Sequence, residues 1–206
     1  GGGGGGGGGG SLLCAPSRSG LRPVHYAAMG AQPAALELLL QVDGGGVSPL
    51  PLLHAAAMGG DPDCIAMVVA MQPAALSAAW NDAEWSALHT AAAGGASAAI
   101  GALLAAGAEP APIDAHGLTP LHLAARGGHA DCLELLLHSG APADALSAAG
   151  VAPIALAVAS GDPEAVEVLL GAGGAPADAE DAEVLRWMAG AMHGDEGGAA
   201  LGALLR

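Results

Sequence analysis

The sequence contains no phenylalanine and no lysine, and five arginines face 20 acidic residues, which leaves a formal net charge of −15. Nucleic-acid binding depends on basic side chains that neutralise phosphates, and binding to an anionic membrane surface depends on the same charges. The composition therefore argues against both kinds of partner. It favours a basic or neutral protein partner, although an acidic charge is first of all a property that promotes solubility.

Cysteine is also scarce, and Cys14, Cys64 and Cys132 lie too far apart to indicate a disulfide framework. This pattern favours a reducing compartment, so we expect an intracellular, cytoplasmic location. A signal peptide would need a charged region followed by an apolar stretch, and the N-terminal residues show neither. Because the chain begins with Gly1 rather than Met, we expect it to be a piece of a longer protein.

A membrane-spanning run is missing as well. Residues 91–108 carry no charge over 18 positions, which meets the length criterion for a transmembrane helix. However, four glycines interrupt this segment, and most of its other residues are alanines, which are weak hydrophobes. We therefore expect no membrane insertion.

The two ends of the chain differ from its centre. Residues 1–20 open with ten glycines and predict a disordered leader, because glycine has no side chain to bury and the largest backbone entropy. Residues 178–206 are acidic and contain short apolar groups that predict one or two closing helices. An acidic terminal unit of this kind is typical of the cap that keeps a repeat array soluble.

Between these ends the sequence repeats itself. The clearest copy of the repeated phrase is Thr119-Pro120-Leu121-His122-Leu123-Ala124-Ala125, and we call its histidine the marker position. The markers of the five copies fall at residues 25, 54, 89, 122 and 155, so their spacing is 29, 35, 33 and 33 residues. Fourteen residues past each marker stand Leu39, Val68, Leu103, Leu136 and Leu169, and the positions eleven and fifteen past it are aliphatic in every copy. Five repeats follow, near 21–46, 47–79, 80–112, 113–145 and 146–177.

Each repeat predicts two helices. Pro120 suits the first turn of a helix, where its missing N–H costs no hydrogen bond, and Gly128 can end that helix with a positive φ. Asp61 and Asp162 each precede a proline and predict the N-caps of second helices. One such hairpin cannot bury its aliphatic face alone, so stacked neighbours must complete the core.

The fourth repeat, with the pattern D-x-x-G-x-T-P-L-H-L-A-A-x-x-G-H from Asp114 to His129, resembles the ankyrin repeat consensus. The resemblance extends from about Leu21 to Ala175. It implies an all-α ankyrin-type helix-turn-helix solenoid of about five repeats plus a C-terminal helical cap. It also implies a monomeric module that binds a protein partner, with no cofactor, no metal and no enzymatic activity. The alternative is the targeting arm of a larger enzyme, of the kinase or ubiquitin-ligase type.

Two segments depart from the consensus. The short 29-residue step runs through residues 43–46 and predicts a shortened or irregular turn between the first two repeats. In the third repeat, residues 81–84 (Asn-Asp-Ala-Glu) replace the usual turn and lack its glycine.

Histidine and cysteine are the residues that could carry chemistry. One marker histidine occurs in each of the first four repeats, at His25, His54, His89 and His122. Helices that pack lie about 8–10 Å apart, whereas all the ligands of a zinc ion lie about 2 Å from it. We therefore expect no metal site that these histidines share. The resemblance implies instead that these histidines form structural hydrogen bonds near the turns. Cys132 lies near two further histidines, His129 and His138, but Cys132 and Cys64 share a repeat position that alanine fills elsewhere, which favours a packing role.

In ankyrin stacks the partner lies against the turn tips and the exposed face of the first helices. This resemblance places the candidate binding residues at Met29, Met58, Asp82, Trp85, His116, Leu118 and Arg126. Trp85 either contributes binding energy, as exposed tryptophans often do, or packs on Trp80 or the neighbouring turn. Arg126 either meets a carboxylate of the partner or pairs with a nearby acid of this chain.

Overall fold

The computed structural model describes residues 21–43 and 49–174, which contain ten α-helices and one 3₁₀ turn. In chain order these are α1 (Pro23–Met29), α2 (Pro33–Asp43), α3 (Pro49–Gly59), α4 (Pro62–Met71), the 3₁₀ turn (Pro73–Leu76), α5 (Ala87–Ala93), α6 (Ser97–Ala105), α7 (Pro120–Gly127), α8 (Ala130–His138), α9 (Pro153–Ser160) and α10 (Pro163–Gly171). The predicted leader 1–20, the step at 44–48 and the predicted cap 178–206 lie outside the described residues.

The helices form two layers. The first helices of the repeats, α1, α3, α5, α7 and α9, pack against one another in chain order. The second helices, α2, α4, α6, α8 and α10, do the same, and each second helix also packs against the first helix of its own repeat. Each hairpin thus has its main partners in the neighbouring hairpins, which confirms the predicted all-α solenoid.

The core lies between the layers and is built from the periodic aliphatic positions. The residues eleven past the marker are buried in all five repeats, and those fourteen past it are buried in the last four. Leu39, in the first repeat, is only partly buried but still packs against the core. The described part of the chain has no repeat before the first one, so the helices around Leu39 have a neighbour on one side alone.

The predicted helix ends are confirmed. Pro120 stands at the first turn of α7, and the Asp61 and Asp162 carboxylates accept backbone N–H groups at the starts of α4 and α10. Gly128 ends α7 with φ +68°.

The third-repeat turn keeps its shape although it lacks the usual glycine. Gly117 and Gly150 hold φ values of +70° and +75° in the turns of the next two repeats, and Glu84 holds +57° at the corresponding position. A residue with a Cβ atom adopts this left-handed conformation at a cost of about 1–2 kcal/mol. Asn81 holds this turn together, because its Oδ1 accepts the Trp85 N–H over 3.0 Å and its carbonyl accepts the Glu84 N–H over 2.9 Å. Asp114 makes the same two bonds, to Leu118 and Gly117, in the next turn.

The uncharged segment 91–108 divides between two helices, since α5 ends at Ala93 and α6 covers Ser97–Ala105. Within residues 21–43 and 49–174, every helix is too short or too polar to cross a bilayer.

Candidate functional site

The marker histidines of the third and fourth repeats join neighbouring repeats. The backbone N–H of Ser86 donates to His89 Nδ1, and that of Thr119 donates to His122 Nδ1, each over 3.1 Å. The proton of each ring is therefore on Nε2, which donates over 3.0 Å to the carbonyl of Leu118 or of Val151, 29 residues further along. This confirms the structural role expected of the two histidines.

Burial lowers the pKa of both imidazoles below its ordinary value, so they are neutral at pH 7. The marker of the first repeat shows the first half of the same pattern, because His25 Nδ1 accepts from the Arg22 N–H over 3.0 Å. Among the described residues, no three His, Cys, Asp or Glu side chains come together in a way that could hold a metal ion.

His54, the marker of the second repeat, departs from the pattern. The residue three before it is Pro51, which has no N–H to donate. His54 Nδ1 lies instead 2.7 Å from Thr90 Oγ1, and Nε2 is buried with no hydrogen-bond partner within the part of the chain that the structure describes. Burial lowers the pKa of His54 to about 4, with a smaller contribution from the nearby His89. His54 therefore lacks the bond to the next turn that His89 and His122 make.

The cysteines occupy packing positions, as predicted. Cys64 and Cys132 are free and buried, and burial is the main cause that raises their pKa to about 12 and about 11. A thiol that stays protonated at neutral pH is a poor nucleophile. His138 Nδ1 lies 2.8 Å from the Glu134 carbonyl oxygen of its own helix and is occupied there. Cys14 lies outside the described residues.

The turn tips of the last three repeats form a continuous hydrogen-bonded edge. The Ala115 N–H donates to the Ala83 carbonyl over 3.0 Å, and the Ala148 N–H donates to the His116 carbonyl over 2.9 Å. Within the fourth turn, Asp114 Oδ1 accepts the backbone N–H groups of His116 and Leu118, each over 2.8 Å. These bonds hold the tips at fixed positions relative to the helices.

The structure places the seven predicted binding residues in two groups. Met58, Asp82, His116 and Arg126 are exposed, whereas Met29, Trp85 and Leu118 are partly buried and pack against the core. Four of the seven thus present an accessible side chain.

Trp85 packs on the neighbouring turn, which is one of the two alternatives that the sequence left open. Its indole N–H donates to Asp114 Oδ2 over 3.2 Å, and its ring stacks against His89 with centroids 6.4 Å apart. Trp85 therefore supports the turn edge, and the more exposed indole of this segment belongs to Trp80.

Sequence reasoning missed a row of exposed apolar side chains on the same turns. Trp80, Ile113 and Leu146 are 44%, 69% and 54% exposed, and each stands nine residues before a marker. We call these three residues the apolar row. The sequence signal for these residues is their shared position nine residues before the marker. A search for large apolar residues at equivalent turn positions, and not only around the turn glycine, would have found them.

A family model described as "Ankyrin repeats (3 copies)" matches residues 52–147 and 111–181, well over half of the chain. A search of curated proteins found no match. The matched residues contain the marker phrases of the last four repeats, the hydrogen-bonded turn edge and the apolar row. The chain belongs to the ankyrin repeat family.

Proposed function

We propose that this chain holds a partner protein against its turn tips and the exposed face of its first helices. Ankyrin repeats are in general protein-interaction modules. The observation that carries the proposal for this chain is the apolar row, three large apolar side chains that remain exposed at one repeat position. Exposed apolar groups that cluster on a surface are typical of interaction sites.

The surroundings of the row support binding. The row lies on turns whose backbone groups are bonded to one another, so a partner would meet a surface that is already ordered. Preorganised surfaces lose less entropy when they bind. Met58 and Arg126, each four residues past a marker, are exposed at the ends of α3 and α7 and would extend the contact area onto the first helices.

Catalysis by the described residues has little support. Hydrogen bonds within the stack occupy both ring nitrogens of His89 and His122, and the two buried thiols stay protonated. A catalytic site would need titratable groups that converge on one cavity. We therefore propose a monomeric binding protein rather than an enzyme. The free, buried cysteines are consistent with an intracellular location.

Site-specific photocrosslinking tests this proposal. A photoreactive amino acid replaces His116 or Met58, and a third variant carries it at Leu135, which is 37% exposed on α8. We expect the first two variants to crosslink to one common partner in cell extract, and the Leu135 control to give little product. Equal crosslinking from Leu135, or no product from His116 and Met58, would disprove the proposed surface.

A further inference from the structure

We propose that the apolar row binds an extended, polyproline II-like segment of the partner, with an apolar side chain at every third position and basic side chains between them. This inference rests on the proposed function and specifies the chemistry of the partner at that same surface. Three features of the row carry it: its spacing, the state of the turn backbone, and the charge around it.

The spacing of the row matches a three-residue period. Its members stand on consecutive turns, and the first helices that follow these turns, α5, α7 and α9, pack in that order. Because packed helices lie about 8–10 Å apart, we expect a similar separation between neighbouring row side chains. A polyproline II helix rises about 3.1 Å per residue with three residues per turn, so every third side chain lies on one face about 9 Å from the last.

Other regular conformations match less well. Side chains on one face of a β-strand are two residues apart, which corresponds to about 7 Å. On an α-helix the nearest side chains directly in line are seven residues apart, about 10.5 Å, beyond the upper end of the range. A helix would also present a face wider than a single row.

The backbone of the turns leaves little for a partner strand to pair with. The N–H groups of Ala115 and Ala148 already donate to carbonyls of the preceding turn, those of Ala83 and His116. Strand addition requires unpaired backbone groups along an edge. A polyproline II segment needs no such groups, because its own backbone stays solvated and its contacts are made by side chains.

Exposed carboxylates flank the row. Asp82 and Glu84 follow Trp80, Glu109 precedes Ile113, and Asp144 precedes Leu146, all within four residues of a row member. The described part of the chain has two arginines, Arg22 and Arg126, and neither lies within four residues of the row. Basic side chains between the apolar ones of the partner would complement these carboxylates and accelerate encounter.

Synthetic peptides test the inference. Fluorescence anisotropy of the full chain is measured with a labelled peptide made of Leu-Pro-Arg repeats, and with three comparators: Leu-Pro-Glu repeats, a rearranged peptide with leucine at every second position, and a helical basic peptide with leucine at every seventh. We expect the Leu-Pro-Arg peptide to bind at least tenfold more tightly than each comparator. Affinity should fall in high salt, because exposed charge pairs are screened.

The variants Ile113→Asp and Leu146→Asp should each weaken binding of the Leu-Pro-Arg peptide at least tenfold. Both side chains are more than half exposed, so the fold should persist, which circular dichroism checks. Leu135→Asp adds the same charge on α8, and we expect it to leave the affinity unchanged.

Equal binding of the acidic peptide, tighter binding of the helical or every-second peptide, or indifference to both row variants would overturn the inference. If His116 crosslinks to a partner while no Leu-Pro-Arg binding is seen, the peptide chemistry is wrong and the proposed function stands. If His116 and Met58 give no crosslinks, the proposed function itself is wrong.

Discussion

The marker histidine makes different hydrogen bonds at two junctions of the same stack. Between the third and fourth repeats, His89 is bonded to its own helix start and to the next turn. Between the second and third repeats, His54 has lost both of those bonds. The comparison teaches that a histidine at the consensus position bonds to its own helix start and to the next turn only when both present the matching groups, and that His54 instead meets the next repeat through the Thr90 hydroxyl.

The causes of the difference are local. Pro51 cannot donate to His54 Nδ1, and α3 begins five residues before its marker, whereas α5 and α7 begin two residues before theirs. The Trp85 carbonyl, four residues before the next marker, corresponds to those of Leu118 and Val151. All three accept a backbone N–H from within their own turn, but Leu118 and Val151 also accept a histidine Nε2, whereas Trp85 does not. The Trp80 ring lies against His54, with centroids 4.9 Å apart.

The largest effect should come from removing a histidine that joins two repeats. His122→Leu leaves the buried Thr119 N–H without a partner and removes the bond to the Val151 carbonyl, which keeps only the Ser147 N–H, so we expect the free energy of unfolding to fall by about 2–4 kcal/mol. His54→Leu removes one hydroxyl contact and an unpartnered ring nitrogen, and should change that free energy by less than about 1 kcal/mol. Urea denaturation of both variants measures the difference. Equal losses would show that the two junctions are energetically alike.

The dependence of stability on pH should reveal the unusual environment of His54, and we expect its effect to be almost as large as that of His122→Leu. Burial holds the pKa of His54 at about 4 in the folded chain, against about 6.5 when unfolded. The unfolded chain therefore binds the proton more readily, so this contribution to stability is complete above pH 6.5 and is lost as the pH falls towards 4. The loss should reach about 3 kcal/mol.

His54→Leu is the control for this measurement, because it keeps the other buried histidines and all the carboxylates. We expect the wild type to lose more stability than this variant between pH 7 and pH 4 in urea denaturation. Parallel pH profiles would contradict the assigned burial of His54.

A smaller effect should follow from changing Gly117, in the turn between the third and fourth repeats. A Cβ atom at Gly117, where φ is +70°, would lie 2.7 Å from the Ala148 backbone nitrogen. Gly117→Ala should therefore lower the free energy of unfolding by about 2 kcal/mol, from left-handed strain and the close approach. Gly150→Ala is the matched control, because its Cβ atom would meet open space. Thermal unfolding should rank Gly117→Ala below Gly150→Ala in stability.

The smallest effect should follow from changing Glu84, which holds the equivalent position in the turn between the second and third repeats. Glu84 holds φ +57° where the later turns have glycine, so Glu84→Gly should raise the free energy of unfolding by about 0.5–1 kcal/mol through relief of strain. Differential scanning calorimetry should show a higher Tm. Glu84→Ala keeps the strain and serves as the control, and an equal gain in Tm from alanine would point to charge rather than to the backbone.

Much of the fold could be predicted because its determinants are local or periodic. The aliphatic positions past the marker, the Asp61 and Asp162 caps, and Gly128 at the end of α7 all follow from spacing and helix chemistry, and the structure confirms them. The exposure of the predicted binding residues could be predicted only in part, because the burial of Trp85 depends on its hydrogen bond to Asp114 in the next repeat.

By itself, the sequence determined the period, the five hairpins of residues 21–43 and 49–174, and the face that each of their helices buries, since these depend on residues close together in the chain. Only the tertiary structure decided that His54 Nε2 would be left without a partner among the described residues and that the Trp85 indole would pack against Asp114. Both outcomes depend on contacts between adjacent repeats, about 30 residues apart in the chain, so the neighbouring residues in the sequence do not specify them.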